Sequence, residues 1–265
     1  MLHTLARVLI AATTLFAGCH AQASTWVWAW DRTEDLRWLP PEVGVAWFAA
    51  HIDVRNDALT VVGRRAVLRV RPGARLLPVI HIEAFDPRYP AVLDGPAVAR
   101  WADTLAEVIR RLNVRRVQLD FEARAGQRDF YRRVLIALRA RLSSDITLSM
   151  TALASWCGDP AWLASLPVDE IVPMYFRMGP TERTLWRRRM AAAETLPSVC
   201  RHAAGISIDE WSAMKDDAGP RFHEALTSRP LYMFAPRPWR PAMLHDLPLI
   251  HEAPDALAFL HATLP

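Results

Sequence analysis

The sequence predicts a (β/α)8, or TIM, barrel, and three observations lead there. The chain has 265 residues, 52% of them hydrophobic, enough to build one large core. Eight short runs rich in Val, Ile, Trp and Phe read as strands, and helical patterns separate most of them. A doubly wound sheet would need a Gly-rich phosphate turn after an early strand. The sequence contains no G-x-G-x-x-G and only 10 glycines.

The eight predicted strands are Trp26–Asp31, Gly44–Val54, Arg75–Ala84, Val114–Ala123, Asp145–Leu153, Glu170–Met178, His202–Asp209 and Pro230–Trp239. Between the third and fourth, Ala97–Leu112 carries Val98, Trp101, Leu105, Val108 and Leu112 at helical spacing. Asp129–Leu142 repeats the pattern with Phe130, Val134, Leu138 and Leu142. Thr181–Leu196 opens with Thr181 as a cap and Glu182 in its first turn, and Trp211–Ala225 and Pro254–Ala262 are shorter helices. Ala58–Val70 lacks an apolar helical stripe. It reads as two β segments around Gly63-Arg64, a β-hairpin replacing the second helix.

Residues 1–23 read as a signal peptide, with Arg7 before the short apolar run Val8–Ala17 and Ala21-Gln22-Ala23 as the cleavage site. Phe16-Ala17-Gly18-Cys19 also resembles a lipobox, which would make Cys19 a lipid anchor. Residues 24–265 then form one barrel domain. No later stretch is apolar enough for a transmembrane segment. The expected location is outside the cytoplasm: periplasmic, an outer-membrane lipoprotein, or secreted. There Cys157 and Cys200 can pair or remain buried thiols, and spacing alone does not choose.

The formal net charge of +4 is spread rather than gathered. Arg132-Arg133 and Arg187-Arg188-Arg189 fall in helical patterns, as solvated faces do, so no nucleic-acid partner is expected.

Barrel active sites form at the C-terminal ends of the strands, where alternate residues face the lumen. On the fourth strand that phase places Gln118, Asp120 and Glu122 inward and Val117, Leu119 and Phe121 toward the helices. Other strand ends offer His51 and Asp53, His81 and Glu83, Ser149 and Thr151, Tyr175 and Arg177, and Ser207 and Asp209. Trp30 and Trp239 lie near the ends of the first and eighth strands. Paired carboxylates can divide acid and stabiliser roles, and indole faces suit sugar rings, so the ring of residues points to carbohydrate.

Asp120-Phe121-Glu122 resembles the end of the D-x-x-D-x-D-x-E signature of family-18 glycoside hydrolases, which are chitinase-like barrels. The resemblance implies that Glu122 is the general acid and that Asp120 orients the substrate acetamido group. Pro173-Met174-Tyr175-Phe176 is similar in place to that family's M-x-Y-D motif, and Trp239 to its eighth-strand Trp. Gln118 stands where the family has another Asp. In the strict register Phe176 and Arg177 occupy the Tyr and Asp positions.

The mature chain also resembles the domain-of-unknown-function family 3142 of exported bacterial proteins. The resemblance rests on its Trp-rich first strand, Gln118-x-Asp120-Phe121-Glu122, Ser155-Trp156-Cys157 and Pro173–Gly179.

The leading expectation is a glycoside-hydrolase-like barrel acting on a cell-envelope or extracellular polysaccharide. Glu122 and Asp120 are its catalytic pair. Gln118, Tyr175, Arg177, Trp239, Trp30, His81, Glu83, Asp53, His51 and Asp209 contact substrate, and no cofactor or metal is needed. The alternatives are a non-catalytic barrel that binds glycan or protein, and a metal-dependent hydrolase or deacetylase built on His51, Asp53, His81, Glu83 and Asp120.

Overall fold

The computed structural model describes residues 25–191, 196–212 and 229–244. Eight parallel strands close into a barrel: β1 (Thr25–Ala29), β2 (Val43–Arg55), β3 (Leu76–Glu83), β4 (Arg116–Asp120), β5 (Thr147–Leu153), β6 (Glu170–Met174), β7 (Ala204–Ser207) and β8 (Leu231–Phe234). They pair in sequence order, and β1 closes the ring by pairing with both β2 and β8. Each overlaps a predicted strand: six lie inside the predicted range, β1 starts one residue early at Thr25, and β2 runs one residue past its predicted range at both ends.

The helices form where the apolar period places them. α1 (Gly95–Leu112) is capped by Asp94, which accepts from the Ala97 N–H at 2.7 Å, and it stops at Asn113 in the left-handed region. α1 and α2 (Arg128–Arg139) bury Trp101, Leu105, Ile109, Phe130, Val134 and Leu138 against the outward residues Val117 and Leu119 of β4 and Phe121 just past its end. A short α3 (Pro160–Ala164) and α4 (Pro180–Ala191) follow β5 and β6. α4 starts at Pro180, so Thr181 lies inside its first turn rather than capping it. The predicted helix over Trp211–Ala225 passes beyond the described residues after Ser212, and Pro254–Ala262 lies wholly outside them, as do the leader and Cys19. Among the described residues no helix is long and apolar enough to cross a membrane.

A hairpin does replace the second helix, but it turns elsewhere than at Gly63-Arg64. The strand Ala58–Gly63 folds back on β2 itself, pairing Arg55 with Ala58 and Ala50 with Gly63. The reversal falls at Asn56-Asp57, with Asn56 at φ 53°, a conformation Asn tolerates because its short side chain bonds locally. Leu68–Arg69 pairs instead with Glu34–Asp35. Arg64, freed from the turn, donates to the carbonyls of Ala29, Trp30 and Arg32 and so ties the loop after β1 to the hairpin.

The lumen is filled in layers. At the bottom, the guanidinium groups of Arg75 and Arg116 lie 5.0 and 5.3 Å from the centre of the Trp26 ring, which stacks on Tyr232. Arg116 and the Tyr232 hydroxyl both donate to Glu170 at 2.8 Å. One layer up, Trp28 Nε1 donates to Gln118 Oε1 at 2.7 Å, and Gln118 Nε2 donates to the Ser149 hydroxyl at 3.1 Å.

The indoles need room that only glycine leaves. A Cβ on Gly44 would stand 2.4 Å from the Trp26 ring, and one on Gly205 2.8 Å from Trp28. Trp26 is held between stacked partners and cannot step aside. Gly44→Ala is therefore expected to destabilise the barrel by about 2–3 kcal/mol through overpacking, read as a lower urea midpoint at unchanged slope. A midpoint equal to the parent's would show that the packing yields.

Candidate active site

The polar layer sits above these plugs, at the C-terminal strand ends, and a β-bulge builds half of it. On β2, Gly44, Ala46 and Phe48 share one phase. Continued alternation would turn Ala50 and Ile52 inward and His51 outward. The register against β3 shifts between Phe48 and Ala50. The extra residue reverses the phase, so Ala50, Ile52 and Val54 pack against the helix layer, while His51 and Asp53 lie beside His81 and Glu83 of β3.

Asp120 is buried, 4% exposed, and both its oxygens are held. Thr151 donates to Oδ1 at 2.6 Å, and His81 Nδ1 lies 2.8 Å from Oδ2. Because a carboxylate only accepts, Nδ1 carries the proton of that bond. Burial pulls the His81 pKa down. The hydrogen bond and charge of Asp120, helped by Glu83 and Glu122, outweigh this and leave it above its ordinary value. The rings of His81 and His51 are 5.4 Å apart, and His51 Nε2 is 3.4 Å from Glu83 Oε2.

Glu122 lies two residues on, at the exposed rim just past β4. Its pKa is raised, first by partial desolvation of the carboxyl and then by the charge of Asp120, against a smaller opposing pull from His81. The side chain is open to solvent, yet the proton is held longer than on a free glutamate. That is the condition a general acid needs.

Beside this cluster lies an aromatic floor. Trp30 meets Phe48, His81 and Phe234 at 5.6, 5.8 and 6.3 Å between ring centres, and Phe176 stacks on Phe234 at 5.5 Å. Trp30 is half-buried, so its ring borders the open end of the barrel.

Several predicted contacts fall elsewhere. Gln118 is fully buried beneath Asp120 with both ends of its amide engaged, so it supports the site from below and is out of a ligand's reach. The amide explains why an acid is not required there. It accepts from Trp28 and donates to Ser149 together, and a carboxylate cannot donate.

Tyr175 points outward. It packs on Trp186 at 4.3 Å in the helix layer, while Phe176 takes the lumen phase after Val172 and Met174. Trp239 is 4% exposed, and its Nε1 donates to the Trp28 carbonyl at 2.8 Å, so it closes the core instead of facing a ligand. The Trp239 N–H also donates to buried Glu34, which Arg32 holds at 2.6 Å.

Arg177, at φ 54°, is engaged by Asp209 at 2.8 Å and by Glu210 at 2.6 Å, a charged cluster of its own above β6 and β7. Asp209 is pulled up by burial but held below its usual pKa by the Ser207 hydroxyl and Arg177. Asp53 pairs with Arg55 at 2.9 Å.

Phe48, Phe176 and Phe234 belong to the floor, and none of them is among the residues the sequence singles out for contact with substrate. Only the inward phase of their strands marks them, and for Phe48 that phase depends on the bulge.

This combination defines a class: a closed eight-stranded barrel with carboxylates and an aromatic floor at the C-terminal strand ends. No family profile matches the chain, and no curated protein matches it. In fold it is similar to a Streptomyces coelicolor protein provisionally designated chitinase A, at 11% identity and a TM-score of 0.51, covering 91% of this chain and 99% of that one. A family-113 β-mannanase from Alicyclobacillus acidocaldarius aligns at 13% identity over 91% and 96% of the two chains, with a TM-score of 0.49. At 11% identity the likeness to the first shows the fold alone: this chain is a (β/α)8, or TIM, barrel.

Proposed function

We propose that the chain acts on a cell-envelope or extracellular polysaccharide as a glycoside hydrolase. Glu122 is the general acid and Asp120 is the fixed carboxylate beside it. The observation that carries this reading is the pairing of an accessible carboxyl of raised pKa with a buried carboxylate locked by Thr151 and His81. Trp30 offers a face for a sugar ring next to that pair. Export is part of the same reading, supported by a disulfide between Cys157 and Cys200, a bond that persists in oxidising compartments. So is membership of family 3142, supported by the residues that carry that resemblance.

The pH profile tests the acid. Glu122 works while protonated, so kcat/KM holds at low pH and falls as pH rises through its raised pKa. The charge of Asp120 helps to raise that pKa, so Asp120→Asn shifts the alkaline limb of any residual activity to lower pH. A limb that stays in place, or moves upward, removes Asp120 as the neighbour that tunes the acid.

One observation favours a second reading. Phe176 stacks on Phe234 where the family-18 resemblance sets a polar motif, as in a barrel that binds glycan without cleaving it. Oligosaccharide binding with no release of reducing ends, from the parent as from Glu122→Gln, would select this reading.

A further inference from the structure

We infer that His51, His81 and Glu83 form a binding site for one divalent transition-metal ion at the rim between β2 and β3. One ligand atom from each of the three lies within 4.8 Å of the others. Glu83 Oε2 and His51 Nε2 are 3.4 Å apart. Tetrahedral coordination at about 2.0–2.2 Å from the ion separates ligand atoms by roughly 3.4 Å, so this pair already has the required spacing. Glu83 is exposed, and a rotation of its side chain adjusts the remaining distances.

Three features distinguish the cluster from an ordinary surface ion pair. His51 Nε2 is shielded from solvent and makes no hydrogen bond, with the Glu83 oxygen at ion-pair distance from it. His81 is held through Nδ1 by Asp120, which leaves Nε2 as its free ligand atom. A carboxylate behind a histidine in this way is the usual support of a metal-bound imidazole, because it fixes the ring and raises its basicity. Finally, the bulge in β2 is what brings His51 level with His81. Two imidazoles and a carboxylate suit Zn2+ and its neighbours better than Mg2+ or Ca2+, which prefer oxygen ligands alone.

The inference does not need Glu122, which is not a ligand, but it shares Asp120 with the glycosidase reading, as the carboxylate behind His81. The test is equilibrium dialysis of the full chain, purified without a histidine tag and stripped with chelator, against Zn2+ and, separately, Mg2+. One equivalent of Zn2+ is expected, with no comparable retention of Mg2+. His51→Ala and Glu83→Gln should each abolish stoichiometric binding, and Asp120→Asn should weaken it about 10- to 100-fold by loss of the supporting carboxylate. Circular dichroism of each variant shows whether it is folded. For a variant that is not, the Co2+-loaded parent supplies the answer: its visible absorption should be that of a four-coordinate nitrogen and oxygen site. Less than one equivalent in the parent, or full binding by folded His51→Ala and Glu83→Gln, overturns the site. Zn2+ binding by Glu122→Gln alongside loss of hydrolysis would show the two readings standing separately.

Discussion

Glu122→Gln is expected to lower polysaccharide hydrolysis by about three orders of magnitude, while substrate binding and thermal stability stay near the parent's. A positioned general acid contributes roughly 10²–10⁴-fold, and glutamine offers a hydrogen bond but no transferable proton. The fold should tolerate the change, because Glu122 is exposed beyond the end of β4 and its neighbour Asp120, not Glu122, carries the hydrogen bonds to Thr151 and His81. Reducing-end release from envelope polysaccharide and from chitin-type and mannan-type polymers, measured beside binding isotherms, checks both halves. Unchanged turnover in the variant would end the assignment of Glu122. Lost binding together with lost turnover would place it in recognition instead.

Breaking the Cys157–Cys200 disulfide is expected to cost about 4 kcal/mol. The bond closes a stretch of 43 residues that includes β6 and α4, and the chain-entropy estimate for a loop of that size gives this figure. For a domain of this length it amounts to a melting temperature lower by about 10 °C. Both cysteines are buried, so the comparison is made with Cys157→Ala/Cys200→Ala as well as by reduction, to separate the lost cross-link from stranded thiols. Melting within a degree or two of the parent would mean that packing alone holds the β6–α4 segment. The larger drop also predicts poor yield from a reducing compartment, which ties the stability of the barrel to the proposed route of export.

The eight strands were legible because each is a short run of apolar and β-branched residues between polar breaks, and such runs pair with little choice once a ring must close. α1 and α2 were legible from their 3.6-residue stripes. The phase of β4 was equally plain: Val117, Leu119 and Phe121 are apolar, so Gln118, Asp120 and Glu122 had to share the other face. Tyr175 was misplaced because its neighbour Phe176 is just as apolar, and a sequence of two aromatics carries no sign of which one enters the lumen. Trp239 was misplaced because closeness to a strand end does not say whether an indole faces the opening or the core. The hairpin turn was set seven residues too late, because Gly63-Arg64 looks like a turn, while Asn56-Asp57 falls in the short gap between the predicted strand ending at Val54 and the segment beginning at Ala58.

The sequence by itself determined the barrel, the fourth-strand acidic pair and the helix layer behind it, since all three follow from periodicity along a single segment. Only the tertiary structure decided what surrounds the pair. The bulge between Phe48 and Ala50 reverses the phase of β2 and sets His51 beside His81. Asp120 draws its partners from β3 and β5, and Gln118 its own from β1 and β5. The disulfide joins turns on either side of β6. These contacts depend on register between strands far apart in the chain, and a one-residue slip in that register moves every side chain to the opposite face.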